Sequence, residues 1–211
     1  MSAQATLERL LHTRLVAILR LDSLGDLARI VDVLVDTGVR GIELALTHPG
    51  ALDALPALVN QVAGRAEVGA GTVRTVEQLR QVAAAGCSFC VSPHVDAALI
   101  AAACERDLVP VPGAFTATEV HTADLAGARL VKLFPAGELG LDVLAALRDP
   151  FPDVAFVPTG GITLDLIPRY FAVGAAAVGL GSALVPRRQP LEGLVERARR
   201  AVDLAGSGGS A

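Results

Sequence analysis

Short runs that are apolar at nearly every position recur along this chain at intervals of roughly twenty to twenty-five residues, and the stretches between them carry apolar positions at helical spacing. The runs fall at 15–21, 41–46, 66–72, 89–93, 108–112, 129–135, 155–160 and 175–181. Helical segments are predicted over 24–37, 51–62, 76–85, 96–106 and 191–204. Eight strand-then-helix units in order, with strands apolar on both faces, predict an α/β fold: a single-domain (β/α)8 TIM barrel. An open doubly wound sheet is the alternative, but the glycine fingerprint it usually carries at its first turn is missing. Residues 6–14 have helical spacing ahead of the first strand and are expected to plug the bottom of the barrel. The barrel with this short helix is expected to occupy residues 1–205, and the glycine- and serine-rich 206–211 to form a flexible tail.

Composition narrows the function classes. The chain has 211 residues, 52% of them hydrophobic, which suits one core better than two. The excess is alanine, valine and leucine broken regularly by charge, so no run reaches the roughly 20 residues of a bilayer span. No basic-then-apolar leader opens the sequence; the expected address is the cytoplasm, with no membrane partner. A net charge of -4 with both signs interspersed gives no basic stripe for nucleic acid. Any bound anion must be held by a few local groups. Cys87 and Cys90 form a C-x-x-C, but it straddles a helix-to-strand junction and no second pair stands at finger spacing. Buried, inert thiols are expected there, and no metal.

A barrel gathers its active site at the carboxyl ends of the strands. The polar residues there are Arg20, Glu43 with Thr47, Thr72, Ser92 before Pro93, Lys132, Thr159 and Ser182. Lys132 is the only lysine in the chain, and it lies in the apolar run Leu130-Val131-Lys132-Leu133-Phe134-Pro135. A buried ammonium loses hydration and its pKa falls from about 10.4 toward neutrality, which leaves an amine able to attack a carbonyl. Arginine stays charged and cannot do this. The alternative is a packed stem whose ammonium snorkels or pairs with a carboxylate. Glu43 is likewise a lone carboxylate in an apolar strand, and burial raises its pKa toward that of an acid-base group. A structural Lys-Glu ion pair is the competing reading.

Two glycine-rich corners follow the last two strands, Pro158-Thr159-Gly160-Gly161-Ile162-Thr163 and Val178-Gly179-Leu180-Gly181-Ser182-Ala183. Glycines let backbone N–H groups wrap a phosphate, and barrels often build that site after strands seven and eight. His48 and His94 follow strands without the spacing of a metal triad. His12 and His121 fall in helical stretches and are expected at the surface.

Taken together, Val16-Ala17-Ile18-Leu19-Arg20, Ile42-Glu43, Gly69-Ala70-Gly71-Thr72-Val73, Val91-Ser92-Pro93-His94, Val111-Pro112-Gly113, Val131-Lys132-Leu133-Phe134-Pro135, Val157-Pro158-Thr159-Gly160-Gly161-Ile162 and Gly179-Leu180-Gly181-Ser182-Ala183-Leu184 resemble the 2-keto-3-deoxy-6-phosphogluconate (KDPG)/KHG aldolase family. The resemblance implies a class I aldolase with no metal or cofactor, usually a homotrimer, that takes a small-molecule 2-keto acid and releases pyruvate and glyceraldehyde 3-phosphate. By that resemblance Lys132 forms the Schiff base and Glu43 transfers protons through a bound water. Arg20 and Thr72 are the implied ligands of the pyruvyl carboxylate and carbonyl end, and Phe134 and Pro93 shape the pocket. Gly160, Gly161, Gly181 and Ser182 resemble the distal phosphate site, and Thr159 matches a threonine tied to stereochemistry at C4. One departure stands out: some members carry an arginine four residues after the strand-two glutamate, where this chain has Thr47 and keeps Arg20 instead. The alternatives are 4-hydroxy-2-oxoglutarate or the galactonate epimer as substrate, a different sugar-phosphate barrel enzyme, or a noncatalytic effector-binding barrel.

Overall fold

The computed structural model describes residues 2–188 and 190–206. Its strands are β1 (Leu15–Leu19), β2 (Gly41–Ala45), β3 (Glu67–Gly71), β4 (Phe89–Val91), β5 (Val109–Val111), β6 (Gly113–Ala114), β7 (Leu130–Leu133), β8 (Ala155–Pro158) and β9 (Val178–Leu180). The helices are α1 (Ala3–Thr13), α2 (Leu27–Asp36), α3 (Ala51–Val62), α4 (Val76–Ala84), α5 (Ala97–Cys104), α6 (Ala117–Leu125), α7 (Ala136–Leu139), α8 (Leu141–Arg148), α9 (Ile167–Ala172) and α10 (Leu194–Gly206). Every strand pair is parallel. Six strands form a curled sheet in the order β5-β4-β3-β2-β1-β9, and three form a second in the order β6-β7-β8.

Only Pro112 separates β5 from β6. It has no amide N–H to donate, yet its carbonyl accepts from the Lys132 amide at 2.9 Å, so the chain passes from one sheet into the other without leaving the layer. At the opposite edge Thr159, just past β8, pairs with Gly179 of β9 in a single parallel bridge. Each of the eight apolar runs contains a strand. The run at 108–112 continues past its proline as β6, and that at 175–181 shortens to β9.

Alternation along the strands divides the core in two. Outward residues such as Ala17, Leu19, Ile42, Leu44, Val131 and Leu133 pack under the helices, where α2 buries Leu27, Ile30, Val31, Leu34 and Val35 at helical spacing. Inward residues Val16, Phe89, Val91, Val109, Val111, Leu130 and Val157 form a second cluster on the concave face, with Leu10 of α1 beneath them. That is the plug expected of the amino-terminal helix, which starts earlier than its spacing suggested, with Ser2 capping Ala5. It is fastened by Glu67, whose Oε2 accepts from the Thr6 hydroxyl at 3.1 Å while its Oε1 lies 3.1 Å from Arg9 Nη1, close enough to pair though not aligned as a hydrogen bond. Polar caps fix other helix starts: Asp96 accepts from the Ala98 and Leu99 amides, and Thr116 and Glu119 close a capping box on α6. Helix α10 runs through Gly206, one residue into the expected tail; 207–211 lie outside the described residues. No helix among those described is long and apolar enough to cross a membrane.

Candidate active site

Lys132 is the third residue of β7 and shares its inward face with Leu130. It is 7% exposed. Its Nζ stands 4.9 Å from the Phe134 ring centroid, a cation-π distance. Among the described residues its ammonium makes no ion pair or hydrogen bond. The structural Lys-Glu pair considered from sequence is therefore not formed.

Glu43 occupies the middle of β2 and is 2% exposed. Its Oε1 is buried without a hydrogen-bond partner. Burial pushes this carboxyl above its ordinary range, while the nearby Lys132 and Arg20 cations pull it part of the way back. Gly71 on the neighbouring strand makes the room: a Cβ there would stand 1.8 Å from Glu43 Oε1.

Two neighbouring spaces share Lys132 in their linings. The inner one, about 20 Å³, is lined by Glu43, Lys132, Thr159 and the apolar residues of the concave face. Above it a cavity of about 430 Å³ opens at the carboxyl ends of the strands, within the usual range of roughly 300–1,000 Å³ for a small-molecule site. Its lining includes Arg20, Lys132, Phe134, Thr159, Gly160, Gly161, Gly181 and Ser182, so most of the residues nominated from sequence converge. A side cavity of about 400 Å³ adjoins it, lined by Arg20, Asp22, Thr47, His48 and Arg187 among others.

The wall beside Lys132 is held by backbone. Ala136 and Gly137 donate to the carbonyls of Thr159 and Gly160, each at 2.8 Å, and the buried Tyr170 hydroxyl donates to the Ala136 carbonyl at 2.8 Å. This lays the loop after β7 against the loop after β8. Gly160 adopts φ +85, and a Cβ there would press within 2.9 Å of the Phe134 ring. Thr159 is 5% exposed and its hydroxyl donates to Val157 at 3.1 Å.

Thr72 and Pro93 do not join this lining. Thr72 leaves β3 in the left-handed region at φ 62, and the next amide, Val73, donates to Val91 at 3.0 Å, so the chain turns toward β4. Pro93 is exposed, and its backbone packs against Gly113. Sequence reasoning missed Ile18, Ile162, Val185 and Arg187. For Arg187 the available signal was an Arg-Arg pair five residues beyond Ser182.

The cysteines are all free. Burial pushes the Cys87 and Cys90 thiols up to about 12, which leaves them protonated and unreactive near neutrality. His12 and His121 are exposed. Among the described residues no three His, Cys, Asp or Glu side chains are grouped to hold a metal.

Residues 7–196 match the family described as KDPG and KHG aldolase. The chain belongs to that family. It is 34% identical over 185 residues to the 2-dehydro-3-deoxy-6-phosphogalactonate aldolase of Escherichia coli K12, covering 87% of this chain and 90% of that one. With the 2-dehydro-3-deoxy-phosphogluconate aldolase of Dickeya dadantii it shares 39% identity over 154 residues, 72% of each chain. A solved structure of the Legionella pneumophila KDPG aldolase, with pyruvate captured as a covalent carbinolamine, superposes with a TM-score of 0.83 at 28% identity, covering 100% of this chain and 99% of that one. This aldolase family thus contains proteins acting on either C4 epimer, and one caught with pyruvate covalently bound.

Proposed function

We propose that this chain is a metal-independent class I aldolase that cleaves KDPG to pyruvate and glyceraldehyde 3-phosphate. The observation that carries the reading is Lys132: the sole lysine, buried, without an ion-pair partner, and facing the same inner space as a buried carboxylate. The Lys132 amine adds to the C2 ketone, and loss of water gives an iminium that draws electrons from C3. A base takes the proton of the C4 hydroxyl, the C3–C4 bond breaks, and its electron pair forms the C2–C3 enamine while C4 leaves as the aldehyde. The enamine takes a proton at C3, and water releases pyruvate and returns the amine.

Glu43 is the group for both proton transfers. It lines the same inner space as Lys132, and a relay water between them is the one the family resemblance implies. Arg20 takes the carboxylate bidentately, which orients the ketone against Lys132. Thr72 is the proposed ligand of the substrate's carbonyl end, as the family resemblance implies. Phe134 shapes the mouth, Thr159 faces C4, and Gly160, Gly161, Gly181 and Ser182 receive the phosphate. The same proposal includes closure of the two sheets into one single-domain (β/α)8 barrel, supported by the continuity at Pro112 and the Thr159–Gly179 bridge. It also includes a cytoplasmic homotrimer, as the family resemblance implies.

The test is intact-mass spectrometry after incubation with pyruvate and borohydride, with peptide mapping of wild type and Lys132→Arg. A reduced pyruvyl adduct on Lys132, absent from the variant, is expected. No adduct on folded wild type would sink the reading. The galactonate epimer is the second substrate reading, favoured by the similarity to the Escherichia coli relative; comparing kcat/KM on the two C4 epimers separates them.

A further inference from the structure

We propose that Arg187 is a specificity-determining residue of this site, a guanidinium on the cavity rim that binds the substrate's distal phosphate and sets the preference for phosphorylated over unphosphorylated substrate. The inference rests on the aldolase reading above and extends its phosphate site beyond the glycine corners. Three cationic side chains line the large cavity: Lys132, Arg20 and Arg187. They stand at different depths, Lys132 buried at the bottom, Arg20 half-buried and Arg187 exposed. The substrate's carboxylate is bonded to the carbon that Lys132 attacks, so it must lie deep, within reach of Arg20. Its phosphorus lies six bonds from that carbon, roughly 7 Å away when extended, and so belongs at the mouth.

Arg187 follows Ser182 by five residues. Between them the Leu184 and Val185 amides both donate to the Gly181 carbonyl at 2.9 Å. That turn, with Leu184 and Val185 buried, carries the chain from the glycine corner along the cavity wall. The neighbouring Arg188 lies 3.7 Å from Asp22, an exposed pair just past the end of β1. Arg187 itself makes no ion pair or hydrogen bond among the described residues. A guanidinium at a cavity rim, without a carboxylate of its own, is matched to a phosphate dianion by its fork of donors.

The experiment compares kcat/KM on KDPG and on 2-keto-3-deoxygluconate, identical but for the phosphate, for wild type, Arg187→Ala, Arg187→Lys and Arg187→Glu. Pyruvate-borohydride trapping is run on each protein. In Arg187→Ala the ratio of phosphorylated to unphosphorylated kcat/KM is expected to fall about tenfold, through KM for the phosphorylated substrate. Arg187→Lys should retain part of the preference and Arg187→Glu should lose more than alanine does. A ratio unchanged within twofold in all three variants, in proteins that trap pyruvate, overturns the role of Arg187 and leaves the aldolase reading standing. Absence of trapping in the wild type overturns both.

Discussion

Replacing Gly71 with alanine should disable Glu43 without touching it. Gly71 ends β3 beside Ala45 of β2, and its backbone is ordinary strand, so alanine meets no φ penalty and even narrows the unfolded ensemble slightly, by about 0.4–1 kcal/mol in favour of folding. The damage comes from contact alone. The added Cβ would lie 1.8 Å from Glu43 Oε1, 2.6 Å from Cδ and 2.8 Å from Cγ, where ordinary contact begins near 3.4 Å. The carboxylate must therefore retreat by roughly 1.6 Å in a close-packed interior. Misplacement of about 1 Å costs about 100-fold in rate, so kcat/KM for KDPG cleavage should drop at least that far. Crowding should cost about 1–3 kcal/mol of stability, a fall in Tm of roughly 2–12 °C for a chain of this size. Pyruvate release followed through lactate dehydrogenase reads the first effect and thermal melting the second. A Gly71→Ala protein within threefold of wild-type kcat/KM would refute the reasoning, because Glu43 would then work from a different position.

Glu43 also predicts a pH signature. Its native pKa is raised by burial, so the folded state holds this proton more tightly than the unfolded chain; the stabilisation is full below the ordinary value near 4.5 and is lost as pH rises through the native value. The Tm of Glu43→Gln relative to wild type should therefore climb between pH 4 and pH 8, and a constant or shrinking difference would show that the carboxylate is not buried as described. In activity the sign reverses: cleavage should fail as pH drops through the same raised pKa, when the base is protonated. Ser182→Ala should lose preference for phosphate-bearing substrate; equal turnover of phosphorylated and unphosphorylated substrates by both wild type and variant would count against the phosphate site.

Strands buried on both faces show as solid apolar runs, which is why all eight strand positions are legible in the amino-acid sequence. A lone charge inside such a run is conspicuous, and period-two alternation then fixes its face, so Lys132 and Glu43 could be aimed into one space from sequence. The short extension Gly113–Ala114 was hidden because proline suggests an ending, yet Pro112 serves as an acceptor and the strand resumes. Thr72 and Pro93 show the limit of reading strand ends: a left-handed residue and a turn carry them away from the lining. Arg187 reaches the cavity over an irregular path, where no period says which way a side chain points.

The absence of any second lysine has a chemical consequence for an enzyme of this kind. Its proposed product is an aldehyde, released at high local concentration beside the surface of the molecule that made it, and aldehydes condense with exposed primary amines. Every other basic side chain in this sequence is arginine or histidine. The outer surface therefore offers the departing product no lysine to glycate, and the one side-chain amine it can meet is the amine whose imines the active site is built to hydrolyse.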